Sequence, residues 1–217
     1  MNFCVIPTIK QDFVGDNRWM SMHNRYVTEA ATSENEVLFI GDSIIQGLQF
    51  TRLWTERIDP LHCLNFGIGG DRVEHVLWRL LNGELQFGYP PKVVVLFVGT
   101  NNIGCNPEEV YEGIVQIVKV IQDKLRNVSV ILPTLLPRGQ YPNVNRERNA
   151  LVNDLLLDRF RSDPNVFVVL VHKGIVRKDL SISHYVMHDY LHLTNEAYDE
   201  VFMPVYDKVR SLLNKTV

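Results

Sequence analysis

Residues 37–48 read VLFIGDSIIQGL, and this stretch decides the fold. Val37 to Ile40 are continuously apolar, which suits a strand buried on both faces of a parallel sheet. Gly41-Asp42 interrupt the run, and a helix-like apolar period resumes behind Ser43. A serine at a strand-to-helix turn has its hydroxyl lifted above the sheet edge. Its backbone N–H points out of the first helical turn, where negative charge is favoured. Ser43 therefore has two readings: a helix N-cap, a common place for serine, or a nucleophile beside an anion site.

Other runs bear on that choice. In CLNFGIGGDRVEHVLWRL, residues 63–80, the short apolar segment 64–66 is followed by Gly67, Gly69 and Gly70, then by a helical pattern at Val73, Val76, Leu77 and Leu80. Glycines here let the backbone approach a ligand and expose N–H groups. The dinucleotide fingerprint G-x-G-x-x-G is not met, because the run reads G-I-G-G-D-R. In KVVVLFVGTNNIG, residues 92–104, the apolar run Val93 to Val98 reads as a central strand with Gly99-Thr100-Asn101-Asn102 at its carboxyl end. The two asparagines suit a turn, or a carboxamide donor aimed into a cleft. In HDYLHLTNEAY, residues 188–198, Asp189 and His192 are close enough in sequence for a carboxylate to hold an imidazole. His184, His188 and His192 recur every fourth residue and on a helix would stack on one face, but no H-E-x-x-H pattern accompanies them. The expectation is no metal and no cofactor.

Taken together, GDS, NFGIGGD, GTNN and DYLH resemble the four blocks of the SGNH (GDSL-type) hydrolase superfamily, with Ser43, Gly70, Asn101 and His192 at the matching positions. NFGIGGD, HVLWRL with NGEL, VGTNN, LLPRG, HDYLHLT and the N-terminal DNRWMSMHNRYV are more closely similar to the catalytic α subunits of intracellular type I platelet-activating factor acetylhydrolase. The resemblance covers nearly the whole chain. It is looser over 172–183 and over NVNRER, 143–148.

The strand candidates are 37–40, 64–66, 93–98, 128–132 and 166–171, and helical patterns fall at 19–31, 44–58, 72–82, 107–126, 144–162 and 195–213. Pro107 with Glu108 and Glu109 makes a good helix start. Pro204 predicts a kink or split in the last helix. Alternation of strands and helices implies an α/β fold: three layers, α/β/α, around a five-stranded parallel sheet. The expected strand order is flavodoxin-like, which the SGNH resemblance also implies. Ser43, Gly70 and Asn101 then share the carboxyl edge of the sheet, where such folds bind ligands.

At 217 residues the chain is expected to be a single domain, 1–217, that needs no disulfide or metal staple. A formal net charge of −3 and the absence of basic runs with interleaved aromatics argue against nucleic acid. Cys4, Cys63 and Cys105 have no metal-ligand spacing and read as reduced thiols of a cytoplasmic protein. No secretory signal opens the sequence, and no run of ~20 apolar residues suggests a membrane span.

Serine is a poor nucleophile until a base removes its proton. His192, an imidazole with an unperturbed pKa of ~6.5, is the candidate base, oriented by Asp189. The resemblance implies an oxyanion hole made of the Ser43 N–H, the Gly70 N–H and the Asn101 side chain. It also implies a small acyl pocket lined by Ile44, Thr100 and Leu191. The implied activity is a serine esterase removing an acetyl group from the sn-2 position of platelet-activating factor-like phospholipids. The alternatives are an SGNH esterase for carbohydrate or general short-chain esters, or a subunit acting mainly as a binding partner. The family resemblance implies a homodimer or heterodimer and a WD-repeat partner that regulates dynein.

Overall fold

The structure, a computed structural model, describes residues 1–171 and 173–214. His172, at the start of the loosely similar 172–183 segment, lies outside the described residues. The apolar runs form β1 (Val37–Gly41), β2 (Cys63–Gly67), β3 (Val93–Phe97), β4 (Ser129–Pro133) and β5 (Val166–Val169). The sheet is wholly parallel in the order β2-β1-β3-β4-β5, which is the expected flavodoxin-like arrangement. Every residue of β1 and β3 is buried, as continuous apolar runs require when helices cover both faces. Gly41 stands level with Gly67 on one side and Phe97 on the other, so the first three strands end together.

The helices are α1 (Arg18–Thr32), α2 (Ser43–Leu48), α3 (Val73–Arg79), α4 (Pro107–Lys124), α5 (Val144–Arg159) and α6 (Asn195–Leu213). α4 starts on a reciprocal cap: Asn106 Oδ1 accepts from the Glu109 N–H at 2.8 Å, and Glu109 Oε2 accepts from the Asn106 N–H at 3.0 Å. Its buried face, including Val110, Ile114, Ile117 and Ile121, packs into the core. Each such side chain stabilises the fold by about 1.5–3 kcal/mol when fully buried.

Two helical expectations need correction, and a third, at Pro204, loses one of its two alternatives. The predicted helix 44–58 breaks after α2. The Thr51 hydroxyl donates to the Leu48 carbonyl at 2.7 Å and accepts from the Trp54 N–H at 3.1 Å, ending one helix and starting a wide turn over Trp54–Ile58. The predicted helix 72–82 ends at Arg79 and opens into a wide turn over Leu80–Glu84, where Gly83 has φ +121°. α6 passes Pro204 without splitting. Pro204 lies on the exposed face, while Val201, Phe202, Val205 and Tyr206 bury the opposite face and hold the helix together.

α2 crosses the sheet edge at very short range. A Cβ on Gly41 would lie 2.2 Å from the Phe97 carbonyl oxygen, and one on Gly67 would lie 2.2 Å from the Gln46 nitrogen. Only glycine at these two positions lets the first turn of α2 sit directly over β1, β2 and β3.

Candidate active site

Ser43 opens α2, and Asp42 is its cap: Asp42 Oδ1 accepts from the Ile44 N–H at 2.9 Å. The cap role open to serine in the sequence therefore belongs to Asp42. The Ser43 hydroxyl instead meets His192, with Oγ 2.9 Å from Nε2. His192 Nδ1 lies 2.6 Å from Asp189 Oδ2. Asp189, His192 and Ser43 thus form one hydrogen-bonded chain at the carboxyl edge of the sheet.

The loop that presents His192 is not helical. Met187 and Leu193 bridge antiparallel, leaving 188–192 as a tight turn with Tyr190 at φ +61°. Asp189 organises this turn. Its Oδ1 accepts from the Leu191 N–H at 3.0 Å and the His192 N–H at 2.7 Å, while Oδ2 holds the ring. Partial burial pushes the Asp189 carboxyl up, but these donors outweigh it and hold the group at about 2. An ionised Asp189 fixes the proton of His192 on Nδ1 and leaves Nε2 free to accept from Ser43.

The other two loops are tied together. Asn101 Nδ2 donates to the Asp71 carbonyl at 3.0 Å, which places the carboxamide beside Gly70, itself at φ +73°. A carboxamide NH₂ has two hydrogens, so a second donor remains for a ligand. The consecutive asparagines divide their work. Asn102 is fully buried, accepts from the Val73 N–H at 3.0 Å and donates to Glu74 Oε2 at 2.7 Å. It is the turn residue; Asn101 is the half-buried one at the surface of the site.

Two arginines brace this region from behind. Arg148, buried on α5, donates to the carbonyls of Asn102 at 2.6 Å and Thr100 at 3.0 Å. Arg138 donates to the Thr100 carbonyl at 2.8 Å and its hydroxyl at 3.3 Å. Beneath Gly70, Arg79 is fully buried and pairs with Asp71 at 2.9 Å and Glu84 at 2.7 Å, while donating to the Phe66 carbonyl. Trp19 Nε1 donates to Asp71 at 2.7 Å, and His23 Nδ1 lies 2.8 Å from Glu84. Burial pushes Asp71 up to about 6 against the pull of Arg79, Trp19 and Lys10, and raises Asp42 to about 7. None of Asp42, Asp71, Arg79, Glu84, Arg138 and Arg148 was singled out from sequence for a part in the site.

Ile44 and Thr100 are buried and Leu191 is half-buried, each one residue from Ser43, Asn101 or His192. The three-histidine face is not realised. His184 packs its exposed ring on Tyr185, whereas ligand atoms of His188, Asp189 and His192 lie within 4.8 Å of one another. A cation bound there would have to take Asp189 Oδ2 and His192 Nδ1 from their mutual hydrogen bond. On the other side of Ser43 lies a cleft of about 510 Å³ that includes Lys10, Phe13, Trp19, Met22, Gln46 and Gly69. Gly69 joins it to the site: its N–H donates to Gln46 Oε1 at 3.0 Å and its carbonyl accepts from Lys10 Nζ at 2.7 Å. Among the described residues, no helix is long and apolar enough to cross a membrane.

Residues 39–200 match the GDSL-like lipase/acylhydrolase family. A platelet-activating factor acetylhydrolase IB subunit beta homolog of Drosophila melanogaster is 45% identical over 215 residues, covering 99% of this chain and 95% of that protein. The platelet-activating factor acetylhydrolase IB subunit alpha2 of Gallus gallus is 46% identical over 215 residues, covering 99% of this chain and 93% of that protein. Among solved structures, a GDSL-like lipase from Bacteroides thetaiotaomicron superposes with a TM-score of 0.66 at 19% identity, over 90% of this chain and 98% of the other. Est24, a carbohydrate acetylesterase from Sinorhizobium meliloti, gives 0.64 at 16% identity, over 82% and 100%. At these identities the structural matches speak to fold, whereas the near full-length sequence matches speak to family. The chain belongs to the GDSL-like lipase/acylhydrolase family and, within it, is a relative of the platelet-activating factor acetylhydrolase IB subunits.

Proposed function

We propose that this acylhydrolase is a serine esterase that removes a short acyl group, acetyl, from the sn-2 position of platelet-activating factor-like phospholipids through an acyl-enzyme. The observation that carries the reading is the Asp189–His192–Ser43 hydrogen-bonded chain at the sheet edge. His192 Nε2 takes the Ser43 proton as Oγ attacks the ester carbonyl. Asp189 stabilises the imidazolium that forms. The tetrahedral oxyanion is received by the N–H groups of Ser43 and Gly70 and the free hydrogen of Asn101 Nδ2. Collapse breaks the bond to the leaving alkoxide, which takes the proton from His192. Water, with His192 again as base, then releases acetate.

Ile44, Thr100 and Leu191 form the acyl side of the site in this reading, with Ile44 and Thr100 buried and Leu191 half-buried. One methylene is worth only ~1–3 kcal/mol, so the preference for acetyl is graded. The leaving group lies toward the Lys10 cleft. There, Phe13 and Val14 are 85% and 79% exposed and offer apolar contact to an alkyl chain. The Lys10 ammonium has three donors. One is used on the Gly69 carbonyl and the group lies 3.8 Å from Asp71 Oδ1, so a phosphate in the cleft would share this cation with Asp71. Names of the relatives as subunits support an assembly, with a dimer and a WD-repeat partner as the proposed forms.

A hydrolysis panel tests the substrate: a 2-acetyl phospholipid, a 2-long-acyl phospholipid and an acetylated sugar. The expected order places the acetyl phospholipid first by kcat/KM. Preference for the acetylated sugar would move the chain to carbohydrate esterases. Turnover of none would make it a binding subunit.

A further inference from the structure

We propose that Cys4 and Cys105 are a disulfide-forming pair, closed when the chain meets a small-molecule disulfide such as oxidised glutathione. The two sulfurs lie 3.5 Å apart across 101 residues of sequence, and both are free thiols. Cys4 is fully buried in a short turn, Phe3–Val5. Cys105 is half-buried on the loop between β3 and α4, next to exposed Ile103 and Gly104.

The site is built from both sides. Asn2 Oδ1 accepts from the Cys4 N–H at 2.8 Å, and Asn2 Nδ2 donates to the Glu109 carbonyl at 3.1 Å and Glu112 Oε2 at 2.9 Å, pinning the turn on α4. Gly113 of α4 makes the room: a Cβ there would lie 2.8 Å from Cys4 Cβ. Asn102 Nδ2 donates to Cys4 Sγ at 3.3 Å, and the Arg72 guanidinium lies 3.6 Å from Cys105 Sγ. Closing the gap to a bond of about 2.05 Å needs a sulfur shift of about 1.5 Å. Closure requires rotation about χ1 at the cysteines and a small movement of the 103–106 loop.

The exchange balances in two steps. The Cys105 thiolate attacks one sulfur of oxidised glutathione, forming a mixed disulfide and releasing one glutathione thiolate. Cys4 then attacks Cys105 Sγ, forming the internal disulfide, and its proton goes to the second departing glutathione thiolate. The protein loses two hydrogen atoms and one glutathione disulfide is reduced to two thiols. Burial pushes the Cys4 thiol up to about 12, which keeps Cys4 protonated and leaves the first attack to the half-buried Cys105. The bond ties the N-terminal segment, which also carries Lys10, to the loop that carries Asn101 and Asn102.

The test equilibrates the full chain in oxidised and reduced glutathione buffers, alkylates free thiols and maps peptides without reduction. The expected product is a Cys4–Cys105 cross-linked peptide with Cys63, at the amino end of β2, still alkylated. Cys63→Ser should leave the cross-link unchanged. Constraining so long a loop should raise Tm by roughly 5–10 °C, reversibly with dithiothreitol. Cys4→Ser and Cys105→Ser should each abolish that rise. Cys105 ending as a stable glutathione adduct, both thiols remaining alkylated in oxidising buffer, or a Tm rise that survives in Cys105→Ser would each overturn the proposal.

Discussion

The Asn101 carboxamide donates to the Asp71 main-chain carbonyl at 3.0 Å, so the loop after β3 is fastened to the loop after β2 beside Gly70. One hydrogen of the amide is used for positioning and the other is left for a ligand. Asn101→Ala should therefore lower kcat by ~10²–10³ with little change in KM, because the free donor acts on the developing oxyanion. Steady-state kinetics on a soluble acetyl ester checks this. A raised KM at constant kcat would make Asn101 a ground-state binding residue.

Arg148 should matter for both stability and rate. It donates to the Asn102 and Thr100 carbonyls from a buried position, and Asn149 accepts from it at 2.8 Å. Arg148→Ala leaves the Asn102 carbonyl without its charged donor and the Thr100 carbonyl with Arg138 alone, and is expected to cost about 2–4 kcal/mol in denaturant unfolding. kcat should fall with it, because Asn101 stands between the two braced carbonyls.

Asp189→Asn should keep the fold and cut turnover by orders of magnitude, since an amide permits the wrong imidazole tautomer. The wild-type carboxyl is held at about 2, so Asp189 stays ionised wherever the enzyme works. Its folded value lies below the ~3.9 of a free aspartate. The stability it lends is therefore fully present above that value and is lost as pH falls through the folded one. Unchanged turnover in Asp189→Asn would assign the orienting role to another carboxylate.

Chelation should leave activity intact. His188, Asp189 and His192 come close together, but Asp189 and His192 already satisfy each other at 2.6 Å. Assay after dialysis against a strong chelator checks this. Inactivation reversed by zinc would make the three residues a metal centre.

Much of the site was legible because each of Ser43, Gly70 and Asn101 follows a short apolar segment bounded by glycine, which suits a buried strand. A parallel sheet brings such positions to one edge. His192 was legible from its motif, although the turn that presents it depends on the Met187–Leu193 bridge. What escaped reading depends on partners far away in sequence. An arginine inside a helical pattern reads as a solvent-facing residue, yet Arg79 and Arg148 are buried because carboxylates and carbonyls from other elements surround them. The break after α2 turns on a Thr51 hydroxyl competing for backbone groups, which an apolar period does not register. At Pro204 the helix does not split, since packing of one helix face outweighed a local breaker on the other.

The most direct test of the central claim is labelling with a fluorophosphonate, followed by peptide mapping. Ser43 Oγ, activated by His192 Nε2 at 2.9 Å, should take up the probe as the single modified residue, with loss of esterase activity in proportion to labelling. His192→Ala should abolish the reaction in a protein that still unfolds cooperatively. Full esterase activity in a sample with Ser43 fully labelled, or an adduct on another residue that tracks the loss of activity, would contradict the account.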